Sequence, residues 1–147
     1  MIIDAVFLLM FFNYLTSALK NVSLYETTIT TEDGTSLDGA YGTDDTIQIK
    51  YIGEKTETGW LILNTPNDDF EQGDTNFFKH KGWYIGDLLG GVLCKFSDKD
   101  FWKIRFISVV ITNDKEIIQY AFYEKHITFD NNDCLLLRAE FIDQNTN

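Results

Sequence analysis

The alternation of apolar and polar residues predicts β-strands along most of the chain. Residues 46–52 alternate regularly, and a turn (GEKTETG) leads from them into residues 60–64, so these two runs predict a hairpin. Residues 23–30 are rich in Thr, as strands are. Three longer β-type runs, separated by NDKE and DNND, predict an antiparallel meander: Phe101–Thr112, Ile117–Phe129 and Cys134–Ile142.

Three segments interrupt this alternation. Residues 31–45 and 65–82 are rich in polar residues and Gly and predict loops, the second long enough to be functional or mobile. Residues 83–96 contain several glycines, which disfavour a helix and predict a bent strand or two short strands. Long adjacent strands with one apolar face must curl or stack to bury it. We therefore predict one mainly β domain (β part 23–147), an antiparallel meander closed as a barrel or sandwich.

The first twenty residues, MIIDAVFLLMFFNYLTSALK, admit three interpretations. We favour a helix over residues 1–20, capped by Asp4 and packed on the β domain through its apolar side. Alternatively, residues 1–18 are a cleaved signal peptide, and Asn21 then begins a glycosylation acceptor, Asn-Val-Ser. The apolar run is too short for a membrane span, which needs about 20 residues. We expect an intracellular protein, or a secreted one if residues 1–18 are removed.

Composition and charge narrow the functional classes. The 147 residues are 44% hydrophobic and 15% aromatic, which is ample for a packed core. The net charge is -11, and residues 1–78 hold 13 of the 23 acidic but only 3 of the 12 basic residues. Such a surface repels nucleic acids, because phosphate binding requires Lys and Arg. It suits a basic protein partner.

The two cysteines do not form a disulfide framework by their number or spacing. Cys94 and Cys134 each lie in an apolar run, and no C-x-x-C motif is present. We predict buried free thiols, with a bridge between them only if the protein is exported.

Candidate catalytic and metal-binding residues are sparse. The only histidines are His80 and His126, and no nucleophile-elbow, zinc-protease or phosphate-loop motif occurs. The acidic loops DGTSLDGAYGTDD and DNND have oxygen ligands of the type that Ca²⁺ prefers, but they lack EF-hand spacing and are more typical of turns. We therefore predict no enzymatic activity, no cofactor and no metal site.

The predicted function is non-enzymatic binding of a basic protein partner, in an inhibitor, immunity-type or nucleic-acid-mimic role. Phenylalanines among carboxylates would form an apolar anchor with an acidic rim. The residues expected on this surface are Asp33, Asp38, Asp44, Asp45, Asp68, Asp69, Phe70, Glu71, Asp74, Phe77 and Phe78.

Two alternatives remain open. The chain could be a subunit of a larger assembly, including a homo-oligomer, that docks through its N-terminal helix. It could instead be an exported β-barrel that binds a small ligand. Gly82-Trp83-Tyr84 resembles a short signature of lipocalin-type barrels, where it lies near the chain start rather than past the middle. In that case the ligand pocket would be lined by Trp60, Trp83, Tyr84 and Trp102.

Overall fold

The structure is a computed structural model that describes residues 22–36, 39–96, 101–122, 127–129 and 132–142. In these ranges every regular element is a strand, and none of them holds an apolar helix of membrane-spanning length. The predicted helix over residues 1–20 lies outside them. The strands are β1 (Val22–Thr31), β2 (Thr35–Ser36), β3 (Gly39–Ala40), β4 (Thr46–Gly53), β5 (Leu61–Leu63), β6 (Thr75–Trp83), β7 (Leu88–Phe96), β8 (Trp102–Thr112), β9 (Ile117–Phe122), β10 (Ile127–Phe129) and β11 (Asp133–Phe141).

Eight of these strands form one antiparallel sheet in the order β5-β4-β7-β11-β9-β8-β1-β6. Strand β10 adds to β8, and β2 and β3 form a separate ribbon. The sheet curls until its two end strands meet, where the Nε2–H of His80 on β6 donates to the carbonyl oxygen of Ile62 on β5, 2.9 Å away. The predicted mainly β fold is therefore confirmed, and of the two predicted forms, barrel and sandwich, the structure shows a nearly closed barrel.

The interior of the barrel is filled by the alternate residues of each strand. Tyr25 on β1 and Tyr51 on β4 are fully buried, and their rings stack with centroids 5.6 Å apart. Tyr51 also lies near Phe122 on β9, with ring centroids 6.2 Å apart. Since β4 and β9 belong to opposite parts of the sheet order, these rings join the two sides of the barrel through its centre.

Strand β6 is where the structure departs most from the sequence prediction. Residues 65–82 were expected to form one loop, but the loop ends at Asp74 and residues 75–83 pair with β1 over nine positions. The inward residues of this strand include Asn76 and His80, whose polar groups bond to Phe70 N–H and the Ile62 carbonyl. These inward polar residues break the alternation of apolar and polar positions, so the sequence of this strand resembled that of a loop.

The remaining strands partly confirm the prediction. The β4–β5 and β8–β9 hairpins are present, and residues 88–96 form one strand rather than two. The simple meander is interrupted, because β10 pairs with β8 and β11 pairs with two strands. Residues 133–138 of β11 pair with β7 and residues 139–141 pair with β9. Strand β11 therefore links the two sides of the barrel.

Cys94 and Cys134 form a disulfide, so the expectation of free thiols is wrong. The two residues are directly opposed on β7 and β11, with their Cα atoms 4.1 Å apart. Directly opposed residues on antiparallel strands are close enough for a bridge. The two cysteines are 40 residues apart in sequence. The sequence alone does not reveal that their strands, β7 and β11, are neighbours in the sheet.

Candidate cation-binding site

Two loops meet beyond the end of the barrel where β4 begins. Residues 41–45 lead into β4, and residues 64–74 connect β5 to β6. The backbone N–H of Thr43 in the first loop donates to the carbonyl oxygen of Phe70 in the second, at 3.2 Å. Between the loops lies a cavity of about 440 Å³ whose wall includes Ile62 and Leu63 of β5.

Three exposed carboxylates converge here, and two of them, Asp44 and Asp68, line the cavity. One oxygen from each of Asp44, Asp68 and Glu71 lies within 4.8 Å of the others. Ca²⁺ bonds oxygen at 2.3–2.6 Å, so oxygens on opposite sides of one ion are roughly 5 Å apart. The spacing and the donor chemistry therefore fit a Ca²⁺ ion. Asn64 and Asn67 line the same cavity, and the side-chain oxygen of an asparagine is a further ligand type that Ca²⁺ accepts.

The conformation of the second loop turns Glu71 outward and Asp69 inward. Asp69 accepts hydrogen bonds from the backbone N–H of Thr65 at 2.5 Å and from its hydroxyl at 2.7 Å. The next residue, Phe70, has φ of 66°, a left-handed conformation that is costly for a bulky residue. Packing offsets this cost, because the buried Phe70 ring lies 4.9 Å from the Trp102 ring and 5.4 Å from the Phe78 ring, between centroids.

The first loop is held by an ion pair inside the barrel. Lys95 on β7 is fully buried, and the Asp45 side chain is 4% exposed. The Nζ of Lys95 lies 2.5 Å from Oδ2 of Asp45. Lys95 occupies an interior position of its strand, directly opposite Ile47 of β4. No signal in the sequence distinguishes this lysine from the exposed ones.

The residues predicted for the partner-binding surface divide into two groups. The structure exposes Asp33, Asp44, Asp68, Glu71, Asp74 and Phe77, which is 66% exposed. It buries the side chains of Asp45, Asp69, Phe70 and Phe78, so these four support the loops from beneath and cannot contact a partner there. Asp38 lies outside the described residues. The acidic surface is therefore smaller than the one expected, because four of the ten described residues point inward.

The aromatic residues predicted to line a ligand pocket do not meet around one cavity. Trp102 is buried in the core, where its Nε1–H donates to Thr31 Oγ1 at 3.2 Å. Trp60 and Trp83 are 48% and 61% exposed on the outside of the barrel. Tyr84 lies beneath the Lys55 ammonium group, 4.8 Å from its ring centroid. Within the described part of the chain, the pocket inferred from the lipocalin-like signature is absent, because Trp83 points outward from β6.

Other candidate residues are also placed away from the acidic loops or beyond the described ranges. His80 lies at the seam between β5 and β6, whereas His126 and Asn21 are outside the described residues.

The tyrosines whose pKa values shift most lie in the core. Burial raises the pKa of Tyr25 to about 12 and raises that of Tyr51 further. Both phenols therefore stay neutral and serve as hydrogen-bonding groups of the fold.

Comparison with known proteins identifies the fold. No family model and no curated protein sequence matches this chain. The chain is similar to part of coral 8R-lipoxygenase, at a TM-score of 0.63 and 22% identity over 79% of this chain and 17% of that one. A calcium-dependent 11R-lipoxygenase matches at 0.59 and 23% identity, over 80% and 17%. The alpha toxin of Clostridium absonum matches at 0.57 and 15% identity, over 80% and 32%. The similarity is one of fold. The chain spans at most about a third of each of these proteins.

Proposed function

We propose that this chain is a binding domain that takes up Ca²⁺ and engages a partner at its acidic end, the end of the barrel formed by the loops of residues 41–45 and 64–74. The observation that carries this proposal is the convergence of Asp44, Asp68 and Glu71 from two separate loops. Bringing three carboxylates together costs electrostatic repulsion, which a divalent cation would offset. Bound Ca²⁺ would also tie the loop before β4 to the loop before β6, and it would reduce the local negative charge that a partner meets.

The comparison with lipoxygenases supports the same proposal. Coral 8R-lipoxygenase is described as calcium-activated through a C2-like domain, and the 11R enzyme as calcium-dependent. Only a small part of each enzyme, 17% of its chain, matches this chain. We extend to this chain the response to calcium and not the oxygenase chemistry of those proteins.

A second candidate is the direct binding of a basic protein at the same end, without a cation. The net charge of -11 and the exposed Phe77 favour it, since an exposed aromatic residue can anchor an acidic contact surface. In that case charge steers the encounter, and the association rate falls steeply as salt is added.

Two further proposals remain: assembly through the N-terminal segment, and export as a carrier of a small ligand. Export gains support from the Cys94–Cys134 bridge, because disulfides persist in oxidising compartments.

Calorimetric titration of the full chain with CaCl₂ tests the first candidate. We expect one saturable Ca²⁺ site that is lost or weakened at least tenfold in Asp44→Asn and Asp68→Asn. The control is Asp87→Asn, which removes an exposed carboxylate in the 84–87 turn at the opposite end of the barrel. Absence of calcium binding by the unaltered chain would overturn the proposal. Equal loss in the control would show that the effect is one of net charge.

A further inference from the structure

Packing alone does not explain the buried Lys95–Asp45 ion pair at the acidic end of the barrel. Removing two charges from water costs several kcal/mol per ion, and their attraction rarely does more than offset it. Apolar residues of similar volume at such positions are often neutral or stabilising. Here both side chains are at least 96% buried and 2.5 Å apart, within a core that is otherwise built largely of aliphatic and aromatic groups.

The position of this pair in the chain shows what it holds. Asp45 lies between Asp44, a member of the carboxylate cluster, and Thr46, where β4 begins. Its backbone N–H donates to the hydroxyl of Thr43 at 3.2 Å, and Thr43 is itself bonded to Phe70. Lys95 lies near the end of β7, a strand that pairs with β4 on one side and with β11 on the other. The ion pair therefore fastens the residue next to Asp44 to a strand that is hydrogen-bonded on both sides.

We propose that Lys95 and Asp45 are positioning residues that hold the Asp44 carboxylate in the cation site. The inference rests on the proposed Ca²⁺ function. Affinity for Ca²⁺ depends on the rigidity of the ligands as well as on their charge. Pairing with Lys95 also keeps Asp45 inside the barrel, so that the loop has one arrangement, with Asp44 outward and Asp45 inward.

The test replaces both charges by apolar groups in Asp45→Leu/Lys95→Met. A purely structural pair predicts unchanged calcium binding with equal or greater resistance to urea. A positioning pair predicts that resistance to urea is kept while the dissociation constant for CaCl₂, measured by calorimetry, rises at least tenfold. The matched control is Lys50→Met/Glu57→Gln, which removes an exposed ion pair of 3.0 Å on the outer surface. That control should bind Ca²⁺ as the unaltered chain does.

A thermodynamic cycle separates positioning from a general effect on the loops. If the pair acts through Asp44, then Asp44→Asn should weaken binding much less in the Asp45→Leu/Lys95→Met background than in the unaltered chain. Additive losses would overturn the inference. If the Asp45→Leu/Lys95→Met variant does not fold, Asp45→Glu provides a second test. It keeps both charges but lengthens the side chain that joins the loop to Lys95 by one methylene. We expect weaker calcium binding from it, and unchanged binding would count against positioning.

The outcomes distinguish this inference from the function on which it rests. If the unaltered chain binds no Ca²⁺, both fail. If it binds Ca²⁺ and the apolar double variant binds equally well, only the positioning role of Lys95 and Asp45 is overturned, and the cation site stands.

Discussion

The hydroxyl of Tyr51 on β4 lies 2.6 Å from the hydroxyl of Thr27 on β1, in a fully buried environment. The same Tyr51 ring stacks on Tyr25, with an angle of 10° between the planes. Strands β4 and β1 are far apart in the sheet order, so this contact crosses the barrel rather than following it. One side chain therefore supplies both an aromatic contact and the hydrogen bond that satisfies a buried threonine.

Tyr51→Phe should destabilise the domain by about 1–3 kcal/mol, because it leaves the buried Thr27 hydroxyl without its partner. The shape of the core is kept, so the loss reports the hydrogen bond and not a cavity. Urea unfolding measures it. Tyr84→Phe is the control, since Tyr84 is only half-buried at the surface, and a change within about 0.5 kcal/mol is expected there.

Stability should fall as pH rises above 10. The pKa of Tyr25 is raised from 10 to about 12 in the folded state by burial, so between these values the folded chain keeps a proton that the unfolded chain releases. The contribution is fully present below pH 10 and is lost as pH rises to about 12. It amounts to at most about 3 kcal/mol, at roughly 1.4 kcal/mol per pKa unit.

Urea unfolding at a series of alkaline pH values measures this loss, and Tyr25→Phe isolates it. The slope of stability against pH should be smaller in the variant than in the unaltered chain. Identical slopes would mean that Tyr25 ionises equally in both states. Tyr51, whose pKa is raised in the same direction by burial, should remain responsible for part of the slope in the variant.

Cys134→Ser should lower stability under oxidising conditions by about 2–4 kcal/mol, because the bridge closes a loop of 40 residues in the unfolded chain. Urea unfolding with and without a thiol reductant checks this. The reductant should reproduce the loss in the unaltered chain and should have no effect on the variant. A reductant effect that persists in Cys134→Ser would contradict the assignment.

Gly90→Ala should separate β7 from β11. A Cβ at position 90 would lie 2.3 Å from the carbonyl oxygen of Leu137, a backbone atom that cannot move without shifting its strand. Overpacking of this kind costs about 1–3 kcal/mol or more. The control is Leu89→Ala, which truncates a neighbouring side chain that is 55% exposed. Equal stability of the two variants would show that the strands adjust freely.

Fluorescence quenching should sort the three tryptophans by environment. A soluble quencher should reach Trp60 and Trp83, which are exposed, but not Trp102, which is buried against Phe70 and Phe129. Trp102→Phe should therefore remove the unquenched fraction of the emission. Survival of that fraction would place one of the other two indoles in a buried site.

The alternation in residues 23–30, 46–52 and 101–122 was enough to predict strands, hairpins and a mainly β fold closed as a barrel or sandwich, but it did not decide between the two. Period-two alternation reports which face of a strand is buried, and this depends only on local sequence. The acidic character of the loops was equally visible. Six of the residues predicted at the acidic end are indeed exposed, among them the three carboxylates that converge there.

What the chain could not reveal depended on contacts between distant segments. Strand β6 has inward Asn76 and His80, whose partners lie in the 64–74 loop and on β5, so its alternation was hidden. The bridge between Cys94 and Cys134, and the pair of Lys95 with Asp45, both require β7 to lie between β4 and β11. Asp44 faces solvent and Asp45 faces the buried Lys95, although the two residues are adjacent in sequence. The strand order decides this difference, because it determines which side chain is buried and paired, and local sequence does not encode that burial.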